Sequence, residues 1–364
     1  MIEPNVPKYI QLKKEIQSWI YAGRFKSNEQ LPSEHELSRV FSMSRQTVRQ
    51  AVGEMVQEGW LYRIQGKGTY CTGMNNRRAS ETATIGVITT YISDYIFPLI
   101  VRGAEATLRS RGYQLLLAST DNDKAKERDS LELMLAQSVS GLIIEPTRSA
   151  EGNPNESYYR ALEAQGIPYI MINESYPELN CPCIKVDDKQ GVFKAVEYLI
   201  LGGHRHIAGF FKTDDLQGLN RMNGYIAAHQ QYEVPFCIED IITYTTEEKS
   251  VKPLKVAASM LSRADRPTAF VCYNDELAVR MMDIIREAGL QVPQDLSIVG
   301  FDDSFLATAT EVKLTTIVHP KIELGIKAAE TLMDMKERKI DSQSVGVVQY
   351  EPELIIREST RELK

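Results

Sequence analysis

The chain has 364 residues, 43% of them hydrophobic and 25% charged, the composition of an ordinary globular protein with room for two or three cores. It contains no run of about 18 apolar residues, and Met1 to Asn5 lacks the basic-then-apolar pattern of a secretory signal, so neither a membrane span nor export is expected and the protein is placed in the cytoplasm. The net charge of −7 is uneven: residues 1–78 hold 12 Lys+Arg against 7 Asp+Glu, net +5, and the remainder holds 30 against 42, net −12, which suggests a basic nucleic-acid module joined to an acidic one.

The first segment reads as helix, helix, turn, helix and hairpin. Leu12, Ile16, Trp19 and Ile20 form a helical stripe after Pro7, closed by Gly23. Ser33 with Glu36 makes a capping box behind Pro32 and starts a second helix that runs to Phe41. Ser44 caps a third helix whose Val48, Ala51, Val52, Met55 and Val56 recur on one face, with Gly59 as its end. Trp60 to Gln65 and Thr69 to Thr72 then read as strands joined across Gly66-Lys67-Gly68. Residues 73–83 are polar without periodicity and read as a linker.

Opposite the apolar stripe of the third helix stand Arg45, Gln46, Arg49 and Gln50, near its N-terminal end, where a recognition helix meets a major groove. Arg can donate two hydrogen bonds to guanine and Gln can pair bidentately with adenine, while Thr47 and the free N–H groups of the helix start suit phosphate. Lys67 between two glycines could enter a minor groove. Taken alone, an Arg pair at i, i+4 is usually a solvated helix face, and it is the order of elements that points to DNA. Residues 7–72 resemble the winged helix-turn-helix of the gluconate-repressor (GntR) family, through Leu31-Pro32-Ser33-Glu34, the run Ser44 to Ala51, Gly59 and Gly66-Lys67-Gly68-Thr69. The resemblance implies DNA contacts by Arg45, Gln46, Thr47 and Arg49, with Gln65, Gly66, Lys67 and Gly68 at the wing. Lys8 and Glu34 match further contact positions, with Glu34 equally explicable as a helix-dipole partner.

From Thr84 apolar strands alternate with helices: Ile85–Ile88, Gln114–Ala118, Leu142–Ile144, Tyr169–Ile172, Ile207–Phe211, Ile241–Tyr244, Ala269–Cys272 and Ile298–Phe301. This is a doubly wound parallel α/β region, and about ten strands divide more naturally into two lobes with a cleft than into one sheet. A sugar presents many hydroxyls, so its pocket needs carboxylates, amides and Arg converging from strand ends beside an apolar wall. Asn173, Asn274 and Asp302 follow predicted strands, although a polar residue there is more often a cap or turn former.

Residues 84–360 resemble the lactose/galactose-repressor (LacI/GalR) family and, through it, periplasmic sugar-binding proteins. The marks are Ile85-Gly86-Val87, Gly202 to Ile207, Tyr273-Asn274-Asp275-Glu276-Leu277-Ala278, Ile298 to Asp303 and Leu314 to Ile317. The resemblance implies sugar contact by Arg221, whose alternative is a surface ion pair, and looser matches at Thr90, Tyr91, Glu145 and His319, with Phe97 in the wall. The short hinge helix that this family places between its domains is absent, since residues 73–83 are polar.

The expected architecture is therefore a winged helix-turn-helix over 1–72, a linker over 73–83, and a two-lobed, periplasmic-binding-protein-like sugar-binding and dimerisation domain over 84–364. The fusion resembles the arabinose repressors of Gram-positive bacteria, which implies a homodimeric repressor on a pseudopalindromic operator released by L-arabinose. Xylose or another pentose, or a hexose, would need only a few changed hydroxyl partners. An enzyme is the rival class, but no phosphate loop, Gly-x-Ser-x-Gly elbow or His-Glu-x-x-His is present, so no catalytic residue and no cofactor is expected. Cys181-Pro182-Cys183 and His204-Arg205-His206 do not have zinc-site spacing, and five scattered cysteines suit reduced thiols, so neither metal nor disulfide is expected.

Overall fold

The computed structural model describes residues 7–363 apart from 22–23, 27, 73–82, 94, 338 and 340–344. The predicted helix stop at Gly23 and nearly all of the predicted linker lie outside the described residues. Ala83, the last linker residue, is already tied to the core, accepting a hydrogen bond from the Gln114 amide.

The N-terminal unit comprises α1 (Lys8–Tyr21), α2 (Glu34–Val40), α3 (Arg45–Gln57) and the antiparallel pair β1 (Leu61–Ile64) and β2 (Gly68–Cys71). Both predicted caps form: Ser33 and Glu36 close a capping box, and Ser44 Oγ accepts from the Thr47 amide at 3.1 Å. Leu12, Ile16, Leu37, Val48, Ala51, Val52, Met55 and Leu61 are buried together. Each large apolar side chain buried there contributes roughly 1.5–3 kcal/mol. The exposed side of α3 therefore rests on a packed apolar base.

The first lobe is a six-stranded, all-parallel sheet. Its strands are β3 (Thr84–Thr89), β4 (Gln114–Ser119), β5 (Gly141–Ile144), β6 (Tyr169–Ile172), β7 (Cys183–Val186) and β13 (Val347–Tyr350), ordered β13-β7-β6-β5-β3-β4. Helices α4 (Phe97–Ser110), α5 (Lys124–Ala136) and α6 (Glu156–Ala164) connect them. The second lobe orders β14 (Leu354–Ile355), β12 (Thr315–Val318), β11 (Ser297–Asp302), β10 (Ala269–Cys272), β8 (Ile207–Lys212) and β9 (Ile241–Tyr244), with only β14 antiparallel. It carries α7 (Asp188–Leu201), α8 (Leu216–Gln231), α9 (Lys252–Leu261), α10 (Asp275–Glu287) and the short α11 (Leu306–Ala309). Helix α12 (Lys321–Lys336) returns to pack on α4.

The buried runs Leu142 to Ile144 and Ile298 to Phe301 are apolar on both faces, as a sheet covered on both sides requires. Strand order reverses between β3 and β5 in one lobe and between β8 and β10 in the other. Ligands of open α/β sheets bind at such switch points, off the carboxyl ends of the strands. The chain crosses between lobes three times, after β7, after β12 and after β13. The predicted lobes, strands and cleft are thus present, with β7, β12, β13 and β14 added to the eight strands anticipated.

Candidate DNA interface and effector cleft

On α3 the side chains of Arg45, Gln46, Arg49 and Gln50 are exposed, opposite the buried face. Thr47 is half-buried, its Oγ1 2.8 Å from Ser44 Oγ. Arg45 Nη2 lies 2.8 Å from His35 Nδ1. Arg49 Nε donates to Glu34 Oε2 at 3.1 Å and Arg63 Nη2 to Glu34 Oε1 at 3.0 Å. Glu34 therefore uses both carboxylate oxygens to hold two arginines from different elements side by side. Gln65, Gly66 and Lys67 form the exposed wing tip, where Gly66 has φ +76° and Gly68 φ +128°. Gln30 Nε2 donates to the Lys67 carbonyl at 2.8 Å, and a Cβ on Gly68 would stand 2.5 Å from that same nitrogen. Lys8 is exposed at the first residue of α1.

The cleft between the lobes is lined from the first lobe by Thr90, Tyr91, Tyr95, Phe97, Glu145 and Asn173. From the second lobe come Lys212, Asp215, Arg221, Tyr273, Asn274 and Asp302. On the first-lobe side, Glu145 Oε2 accepts from the Thr90 amide at 2.8 Å and from its hydroxyl, while Glu145 Oε1 accepts from Asn173 Nδ2 at 2.8 Å. Burial raises the Glu145 carboxyl, and the bonds from Thr90 and Asn173 oppose that rise. Tyr91 and Phe97 pack with ring centroids 6.0 Å apart as an aromatic wall.

On the second-lobe side Arg221 is wholly buried and no surface ion pair. Its Nε donates to Asp188 Oδ1 at 2.7 Å, its Nη1 to the Tyr273 carbonyl at 2.5 Å, and its Nη2 lies 3.6 Å from Asp302 Oδ1. The guanidinium stacks on Phe301, 3.7 Å from the ring centroid. Burial pushes the Asp188 carboxyl up to about 7 against the pull of Arg221. Lys212 pairs with Asp215 at 2.8 Å and Asp214 at 3.1 Å; burial would lower it, but those carboxylates hold the ammonium above the usual lysine range. Tyr273 donates to Asp215 Oδ2 at 2.9 Å. Each deep cation thus faces two carboxylates, so no positive charge is left unpaired, and the carboxylates can accept from a ligand rich in hydroxyls.

Asn173 has φ +65° and Asp302 φ +100°, left-handed conformations uncommon without glycine, and both fall at strand ends facing the cleft. Asn274 caps α10, its Oδ1 accepting from the Leu277 amide at 2.9 Å, so the turn-chemistry reading holds for it alongside its place in the lining. His319 does not line the cleft. It is buried in the connection from β12 to α12 and bonds to Asn173. The sequence pattern does not single out Lys212, Asp215 or Tyr95, although Lys212 ends β8 and Asp215 follows it, so both fit the same strand-end rule. His204 and His206 bond to Thr268 and Asp240 respectively.

At the cleft rim, Asn122 Nδ2 donates to Thr246 Oγ1 at 2.6 Å, Arg148 pairs with Glu247, and Lys249 Nζ sits 4.7 Å from the Tyr91 ring centroid. These contacts join one lobe to the other.

A winged helix-turn-helix joined to a two-lobed core with a polar, aromatic-walled cleft defines a DNA-binding regulator that answers to a small ligand. The model for bacterial regulatory proteins of the gntR family matches residues 8–71, and that for a periplasmic binding protein-like domain matches 196–360. The chain is 58% identical, over 100% of both chains, to the arabinose metabolism transcriptional repressor of Geobacillus stearothermophilus. It is 46% identical to that of Halalkalibacterium halodurans over 98% of this chain and 97% of the relative. Among solved structures, a LacI family transcriptional regulator from Enterococcus faecium with bound ribose is similar at TM-score 0.67 and 26% identity, covering 77% of this chain and 100% of that one. The chain belongs to the family of arabinose metabolism transcriptional repressors. It is a sugar-responsive, DNA-binding repressor and not an enzyme.

Proposed function

We propose that the effector is L-arabinose and that the active species is a cytoplasmic homodimer whose two recognition helices occupy a pseudopalindromic operator. The full-length identity of 58% to a repressor of arabinose metabolism is the observation that carries this reading. The cleft supports it: carboxylates and amides able to meet sugar hydroxyls face an aromatic wall. Arg45, Gln46 and Arg49 read bases, while Thr47, Lys8 and residues 65–68 contact backbone or minor groove. Thr90, Tyr91, Glu145, Asn173, Arg221, Asn274 and Asp302 meet the sugar, with His319 acting through Asn173. In this reading residues 1–72, 73–83 and 84–364 are the DNA-binding, linking and effector-binding units.

Sugar favours closure of each core and a dimer arrangement in which the two winged helices no longer match the half-site spacing. The coupling is reciprocal, so operator also weakens sugar binding. The test is calorimetry of the full chain with L-arabinose, D-xylose, D-ribose and D-galactose, paired with anisotropy on a duplex selected from genomic fragments by binding. L-Arabinose is expected to bind and release the duplex. Binding and release by another of these sugars alone overturns the arabinose reading, and a duplex affinity unmoved by all four overturns the effector mechanism.

A further inference from the structure

Tyr95 belongs to the first lobe, two residues before α4, yet its hydroxyl lies against the second. It donates to the Phe301 carbonyl at 2.9 Å and accepts from the Asp275 amide at 2.9 Å. Phe301 precedes Asp302 at the end of β11, and Asp275 follows Asn274 at the start of α10, so one oxygen joins the two strand-end turns that present Asp302 and Asn274 to the cleft. The backbone of Tyr95 has φ +66°. For a bulky side chain this is an outlier that persists only where surrounding contacts over-determine it. The two hydrogen bonds across the cleft are such contacts. Burial and the nearby Asp302 and Asp275 carboxylates hold the phenol well above its ordinary range, which keeps it a donor.

We propose that Tyr95 is a positioning residue of the effector site: its hydroxyl, carried by one lobe, bridges β11 and α10 of the other, so that closing the lobes sets Asp302 and Asn274 against the ligand. A tyrosine fits this task because one hydroxyl both donates and accepts, and because its ring spans the gap while forming part of the wall. Phenylalanine keeps the ring and loses the bridge. The proposal rests on the reading that the cleft holds a sugar.

The test compares the full-length parent with Tyr95→Phe, using L-arabinose. Calorimetry should give a Kd raised at least about tenfold, equivalent to about 1.4 kcal/mol. The sugar concentration that frees half the operator duplex should rise by the same factor, with sugar-free duplex affinity within about twofold of the parent. A Kd within about twofold of the parent overturns the proposal. A lower melting temperature with unchanged Kd overturns it too, since that is what a mere strut would give. Should Tyr95→Phe fail to fold, hydrogen exchange in the parent replaces it: saturating L-arabinose should slow the Asp275 amide, and an unmoved rate overturns the proposal. A parent that binds no sugar overturns the effector reading, and this inference with it.

Discussion

His319 donates from Nε2 to Asn173 Oδ1 at 3.0 Å, linking the connection between the lobes to a strand end in the first. The tautomer follows from the neighbours. Glu145 can only accept, so Asn173 turns its amide nitrogen to Glu145 and its oxygen to His319, which must then carry its proton on Nε2.

This arrangement makes the imidazole a pH liability. Burial, with the charges of Lys321 and Arg221, depresses His319 to about 3, so below its unfolded value the unfolded chain binds the proton that the folded chain refuses. Its contribution is intact above about pH 6.5 and is lost as pH falls from there toward 3. Asp188 and Asp275, both raised to about 7 by burial, act in the opposite sense across much of the same window. The comparison that isolates His319 is therefore between the parent and His319→Gln. Between pH 6.5 and 5 the parent should lose about 2 kcal/mol relative to the variant in urea unfolding. Parallel pH profiles would remove the claim that the imidazole is held neutral.

Arg45 and Arg49 stand exposed at the start of α3, so either change to Ala should weaken operator binding by about 1–3 kcal/mol while sugar affinity stays put, as read by anisotropy and calorimetry. Glu34→Gln removes the charge that pairs with Arg49 and Arg63. It should tighten binding to random-sequence duplex and steepen the salt dependence. Selective loss of operator affinity would instead make Glu34 a direct contact.

Asp302→Asn keeps the size and tolerates the left-handed backbone while removing the charge. Hydrogen bonds to charged groups are worth roughly 1.5–3 kcal/mol, so sugar binding should weaken about tenfold or more. The resulting repressor should hold its operator normally and resist release. Calorimetry and sugar-dependent anisotropy on the same preparation check both halves.

Arg221 requires a different expectation. Removing it strands Asp188 and Asp302 in a buried site, and breaking a buried pair in this way costs roughly 3–5 kcal/mol. Arg221→Ala should therefore lower the urea midpoint of the core before any sugar is added. An unchanged midpoint would mean that the Asp188 carboxyl already carries a proton.

Much of this was legible in sequence because local rules and tertiary demands agree. Ser33 with Glu36 and Ser44 with Thr47 are caps that only a helix start uses, and strands such as Tyr169 to Ile172 are apolar throughout because both sheet faces are covered. Arg221 and Asp302, each read as a sugar contact, stand 3.6 Å apart, one from within α8 and one from the end of β11. His319 meets the cleft through Asn173, a detail a family match cannot give, because it fixes a position in the chain and not the direction of its side chain. Tyr95 left no signal, since its partners are main-chain groups about 180 and 206 residues away. Strands β13 and β14 escaped because these edge strands are half-exposed and only four and two residues long.

The last crossover orders the molecule in time. Strand β13 completes the first lobe's sheet and β14 the second's, yet both are encoded within residues 347–355, after everything else in either sheet. A growing chain cannot finish the earlier lobe and then add the later one. Both remain open at an edge until residues 347–355 have been made. A stop before residue 347 should therefore cost both lobes at once, and a nascent chain stalled there should still be in the hands of chaperones.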